Sequence, residues 1–100
     1  MTHEDDRRIL TSIPYKDGEI KIIVAKEDCR LGDHYHKIKT ETFRLLEGEA
    51  DLFIDELEWI MHIGESYLVQ PNDKHSFNIK KDSILFCICS HPYSEKDDYT

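Results

Sequence analysis

HYHKIKTETFRLLEG, residues 34–48, carries the most informative pattern in this chain. Two histidines, His34 and His36, stand two apart, Glu41 follows five residues after the second, and Gly48 ends the run that Glu41 opens. On a β-strand, residues two apart project to the same face. His34 and His36 therefore aim their imidazoles into one space. From residue 41 the pattern alternates, with Glu41, Phe43 and Leu45 on one face and Thr42, Arg44 and Leu46 on the other. The Glu41 carboxylate reaches the histidines if its strand pairs beside theirs. A histidine pair alone is weak evidence, because surface histidines fall two apart by chance. The pair gains weight from a second stretch, GESYLVQPNDKHSFN (residues 64–78), which brings in His75 behind a proline.

Outward from these stretches the chain reads as short strands separated by turns. Residues 1–8 are charged and expected to be loose. Residues 9–13 form an apolar run stopped by Pro14, as a first or edge strand would be, and Lys16-Asp17-Gly18 is a turn signal. EIKIIVA (19–25) is rich in β-branched residues. Further strands are expected over 49–54, 57–63, 66–70, 75–79 and 84–90. Asp55-Glu56 is a hairpin candidate without the glycine that would strengthen it. In the 57–63 segment, Leu57, Trp59, Met61 and Ile63 share a side, and Trp59 is expected in the core or at an interface. In the 75–79 segment, His75, Phe77 and Ile79 share a face. The acidic tail, 94–100, is expected to be flexible. About nine short strands and no helical period point to an all-β sandwich or barrel.

Composition narrows the possible roles. One hundred residues make one domain, and 13 basic against 21 acidic residues give a net charge of −8. That balance argues against nucleic acid and anionic membrane as partners, since both need a basic footprint. No apolar run is long enough to cross a bilayer, and the charged first residues do not resemble a secretory leader. A cytoplasmic protein is expected. The three cysteines, Cys29, Cys87 and Cys89, have no C-x-x-C spacing and form neither a disulfide framework nor a zinc knuckle. Cys87 and Cys89 share a face on a strand and read as buried small hydrophobes.

Three imidazoles and a carboxylate suit a borderline divalent metal better than calcium or magnesium. In that arrangement the sequence resembles a small single-domain cupin. His34, His36, Glu41 and Gly48 match the first cupin motif in type and spacing; its leading glycine would fall at Asp28, with Gly32 nearby. Gly64, Pro71, His75 and Asn78 follow the order of the second motif. Six residues instead of five precede the proline, Asp73 replaces an inner glycine, and His75 and Asn78 each arrive one residue early. The 15 residues between Gly48 and Gly64 match the short spacing of compact cupins.

The resemblance implies a double-stranded β-helix, the jelly-roll barrel of cupins, as a single domain over 9–93. It implies one divalent transition metal per chain (Fe, Mn, Ni, Co, Cu or Zn) held by His34, His36, Glu41 and His75. It also implies a homodimer that shares an N-terminal strand, for which residues 9–13 are the candidate. By parity Phe43, Leu45 and Phe77 would wall the pocket for a small-molecule ligand. His3, His62 and His91 complete no ligand spacing. No general acid–base residue stands out beside the metal, so fold does not fix function. The readings that remain are a metal-dependent enzyme on a sugar or carbohydrate-derived acid (isomerase, epimerase or lyase chemistry), a metal-dependent dioxygenase, and a non-catalytic binding or sensor protein.

Overall fold

The computed structural model describes residues 1–100 and contains ten strands and one 3₁₀ turn. The strands are β1 (Thr2–Glu4), β2 (Arg8–Tyr15), β3 (Gly18–Ala25), β4 (Cys29–His34), β5 (Glu41–Glu47), β6 (Ala50–Ile54), β7 (Leu57–Ile60), β8 (Ser66–Val69), β9 (His75–Ile79) and β10 (Ile84–Cys89). They form two antiparallel sheets, one ordered β1-β2-β3-β10-β5-β8 and the other β4-β9-β6-β7. Consecutive strands repeatedly change sheet, as in a jelly roll. No helix is long and apolar enough to cross a membrane.

Turn chemistry accounts for the connections. Lys16, Asp55, Asn72 and Asp82 adopt positive φ, between 52° and 72°. Asp and Asn tolerate that conformation better than most residues. Asp55-Glu56 makes the β6–β7 hairpin without a glycine. Gly48 (φ +89°) does need to be glycine: an added Cβ would lie 2.1 Å from Ser83 Oγ. That hydroxyl accepts the Glu49 N–H and donates to the Glu49 carbonyl.

The core lies between the sheets. Leu31, Leu52, Phe77 and Ile79 face Ile23, Phe43, Leu45, Val69 and Leu85. Alternation holds along β5, β9 and β10, where the inward set includes Phe43, Leu45, Phe77, Ile79, Leu85 and Cys87.

Several expectations change. Residues 2–4 form β1, in register with residues 9–11 of β2, so the N-terminal segment is paired. The strand expected over 9–13 runs on through Pro14 and pairs with β3 of its own chain. β1 reaches only to Thr11, so no strand of that side needs an N–H from Pro14. β7 stops at Ile60 and is exposed throughout; Met61 is buried, while Leu57, Trp59 and Ile63 are exposed, so their shared spacing does not mark a core face. The acidic tail, expected to be flexible, is folded back: residues 95–97 form the 3₁₀ turn, and Tyr99 bridges to Tyr35.

Candidate metal centre

The four residues singled out from the sequence come together at one end of the barrel interior. Their ligand atoms all lie within 4.8 Å of one another. The route differs from the one expected. β5 does not pair beside β4; it lies in the facing sheet between β10 and β8. Glu41 therefore reaches the histidines across the interior. His75 heads β9, which pairs directly with β4, with His34 opposite His75. A bulge at Asp33 (φ 76°), next to Gly32 (φ +83°), shifts the register just before His34. Bulges of this kind re-aim a side chain. At Gly32 a Cβ would also crowd the His75 carbonyl at 3.2 Å.

Backbone contacts fix the rings. His75 Nδ1 donates to the Asp73 carbonyl at 3.0 Å, and His36 Nδ1 donates to the Asp97 carbonyl. In neutral imidazoles these bonds leave Nε2 with its lone pair turned inward. Glu41 Oε1 lies 3.1 Å from His36 Nε2 and 3.3 Å from His75 Nε2. Despite the short separations the geometry is not that of a hydrogen bond, and all three atoms are buried without a partner. Buried polar atoms are rarely left so. Three convergent donor atoms of this kind fit a cation, and the donor set suits a first-row divalent metal. The His34 side chain is the most open of the four, 29% exposed, with its Nδ1 3.4 Å from Asp98 Oδ1.

At Glu41 and His34 the local electrostatics agree with that fit, while His36 is pulled toward its charged form by Glu41. Burial would raise the Glu41 carboxyl, but His36, His75, Lys21 and Lys39 outweigh it and hold the group far below the usual carboxylate range. Burial lowers His34 to about 4, and the neighbouring His75 adds to this against the pull of Asp98. Burial also opposes charge on His36, yet Glu41 and the Asp97 carbonyl outweigh it and raise that imidazole. An ionised carboxylate beside a neutral imidazole is the state in which metal ligands work.

Phe43 and Phe77 pack near the cluster with ring centroids 4.7 Å apart and planes tilted by 59°, and the Phe43 centroid lies 6.0 Å from that of the His75 ring. Leu45 is buried one step further from the site. A concavity of about 530 Å³ lies at the other end of β5 and β9, among Cys29, Gly48, Ala50, Met61 and Ile79. None of the four clustered residues lines it. His62 and His91 are exposed, and His3 lies in β1 beside Asp5.

Sequence reasoning missed the surroundings of the cluster. The Asp97 carboxylate accepts the backbone N–H groups of Lys37, Ile38 and Lys39, tying the tail to the loop after His36. Tyr99 stacks on Tyr35 and lies under the Lys37 ammonium. Lys21 Nζ is 3.4 Å from Glu41 Oε2, and Lys39 is buried in the adjoining loop. On β3 the inward residues are Glu19, Lys21, Ile23 and Ala25, while Ile20, Ile22 and Val24 face out. Nothing in EIKIIVA reveals that inversion, because both faces of the strand carry apolar residues.

The cupin domain family matches residues 20–91, nearly three quarters of the chain. This chain belongs to the cupin family. It is 33% identical over 82 residues to quercetin 2,3-dioxygenase of Bacillus subtilis, covering 79% of this cupin and 24% of that protein. The chain thus spans about a quarter of the length of the curated relative it matches. Among solved structures, the capsular polysaccharide assembling protein CapF of Staphylococcus aureus superposes with a TM-score of 0.85 at 18% identity, covering 99% of this chain and 31% of that one. KdgF from Halomonas sp. superposes with a TM-score of 0.82 at 9% identity, covering 96% and 89%. Both likenesses concern the fold.

Proposed function

We propose that this cupin holds one divalent transition metal through His34, His36, Glu41 and His75 and acts on a small polar molecule, a sugar or a carbohydrate-derived acid, by isomerase, epimerase or lyase chemistry. The observation that carries the reading is the convergence of His36 Nε2, Glu41 Oε1 and His75 Nε2, all buried and all unpartnered. Bound there, a metal would supply Lewis-acid polarisation of a carbonyl oxygen. The chain's own residues do the rest. Backbone carbonyls of residues 73 and 97 orient two imidazoles, Lys21 holds the outer oxygen of Glu41, and Phe43, Leu45 and Phe77 keep water from the inner side. His34, the most open ligand, marks the side from which substrate enters.

A dioxygenase reading is favoured by one specific observation, the 33% identity to quercetin 2,3-dioxygenase over most of this chain. It requires a redox-active metal. Elemental analysis of the protein as isolated, followed by a thermal-shift screen of sugars and keto acids and assay of the stabilising compounds for turnover, separates the readings. Stoichiometric zinc with turnover of a sugar acid supports Lewis-acid chemistry. Iron, manganese, nickel or copper with oxygen consumption supports the second reading. Stabilisation without product identifies a binding protein. A protein that retains no metal and takes none up defeats the assignment altogether.

We infer a homodimer as well. The outer face of the six-stranded sheet carries Ile13, Ile20, Ile22, Phe86, Ile88, Leu46 and Leu68, four of them more than 40% exposed. A contiguous apolar face of this kind marks an interaction surface. The reading also places the protein in the cytoplasm, where Cys29, Cys87 and Cys89 stay reduced.

A further inference from the structure

Glu41 has two oxygens, and they face different company. Oε1 looks toward the imidazoles. Oε2 looks toward β10, where Cys87 Sγ and Cys89 Sγ each lie 3.6 Å from it and 3.5 Å from one another. All three residues are buried, with exposures of 0% for Cys87, 2% for Cys89 and 1% for Glu41. The register explains the meeting: Cys89 sits opposite Glu41 on β5, and Cys87 is the next inward residue on the same strand. Lys21 completes the group, 3.4 Å from the same Oε2.

We propose that Cys87, Cys89 and Glu41 Oε2 form a second, sulfur-rich metal site, for a thiophilic divalent cation of the zinc and cadmium class, with Glu41 as the carboxylate bridging it to the histidine cluster. The three atoms form a nearly equilateral triangle. A tetrahedral zinc ion with Zn–S near 2.3 Å and Zn–O near 2.0 Å asks for roughly 3.8 Å between its sulfurs and about 3.5 Å from sulfur to oxygen. The observed 3.5 and 3.6 Å approach one face of that tetrahedron within the play of a side-chain rotamer.

Charge also balances. Without metal, the group counts one carboxylate against one ammonium, with two neutral thiols. Entry of a divalent cation with release of both thiol protons leaves the sum unchanged, with the Lys21 ammonium retained as the counter-charge to the thiolates. Two thiolates select zinc and cadmium over magnesium and manganese, and so give this end of the carboxylate a different metal preference from the imidazole end. Glu19, opposite Cys89 on β3, carries a further buried carboxylate oxygen, Oε1, without a partner.

Cadmium is the probe, because thiolate ligation produces an ultraviolet charge-transfer band that imidazole and carboxylate ligation does not. The protein is used in a Cys29→Ser background, so that only Cys87 and Cys89 report. Titration should reach two equivalents per chain, one of them accompanied by the band. Cys87→Ser with Cys89→Ser should lower the stoichiometry from two to one and abolish the band. His36→Ala with His75→Ala should keep the band while losing the other equivalent. This last arm separates the two sites: loss of metal at the histidines leaves the sulfur site standing, and the reverse. A measurement on the unaltered protein guards against a variant that fails to fold. Zinc absorption-edge spectroscopy at two equivalents should show a sulfur shell near 2.3 Å. Saturation with cadmium without a thiolate band, or a zinc spectrum with no sulfur shell, would overturn the proposal and leave the thiols as donors that hold Glu41 in place.

Discussion

At the scale of single residues, the candidate centre depends on what fixes each ligand. Glu41 and His75 are 1% and 2% exposed and hold their positions without a direct hydrogen bond between them. Replacing either with Ala should lower metal affinity by more than the roughly 10–100-fold typical of a lost outer partner. Metal analysis after dialysis checks this, and full occupancy in either variant would remove the residue from the ligand set. Asp97 is such an outer partner. Asp97→Ala removes the carboxylate that three backbone N–H groups share and should cost metal affinity within the 10–100-fold range, with the barrel still folded by circular dichroism. Asp97 also gives a pH signature. Burial opposes its charge, but the backbone N–H groups of Lys37, Lys39 and Ile38 outweigh it and lower the carboxyl below its ordinary value. A depressed folded value means stability present above the unfolded value of about 3.9 and lost as pH falls through the folded one. The ring–ring contact of Tyr99 with Tyr35, read as nuclear Overhauser effects, should therefore persist from neutral pH down to about pH 4 and be lost only below it. A transition centred well above pH 4 would contradict the docking.

At the scale of elements, alternation was legible and pairing was not. The inward faces of β5 and β9 followed from period-two patterning, because each has one core face. β3 and β10 did not yield so easily. Phe86 and Ile88 face out while Cys87 and Cys89 face in, and Lys21 faces in between two isoleucines that face out. A strand that is apolar on both sides gives no parity signal. The β5–β6 connection makes its own prediction. Gly48→Ala places a Cβ in a left-handed backbone and against Ser83, and should cost about 1–3 kcal/mol. In a domain this size that lowers Tm by roughly 4–8 °C per kcal/mol. An unchanged melting curve would mean that the turn does not constrain the sheet.

At the scale of the whole molecule, two surfaces of the six-stranded sheet matter. The inner one meets the core. Leu52→Ala from the opposite sheet, where the side chain is fully buried, should destabilise by about 2–5 kcal/mol in denaturant titration. The outer one is apolar and open. Ile88→Lys with Leu68→Lys should convert a dimer into an 11.8 kDa monomer by light scattering while leaving metal content unchanged. A wild-type protein that is already monomeric would show that this face serves some other contact.

The residues read alone yield the strand count to within one, an all-β sandwich or barrel, and the four residues that cluster; the jelly-roll class came from the resemblance of their motifs to those of cupins. Each rests on local information: alternation, turn residues and the spacing of His34, His36, Glu41 and His75 along the chain. Tertiary structure alone decided that Glu41 reaches the histidines from the facing sheet, and that residues 95–99 close back on His36. It alone decided that Lys21, Cys87 and Cys89 gather behind the carboxylate. The physical reason is the same in each case. A strand's own pattern says which residues share a face. Which faces meet is set by hydrogen-bonded register and sheet closure among segments far apart in the chain, and in HYHKIKTETFRLLEG nothing local records the partner that β5 will find.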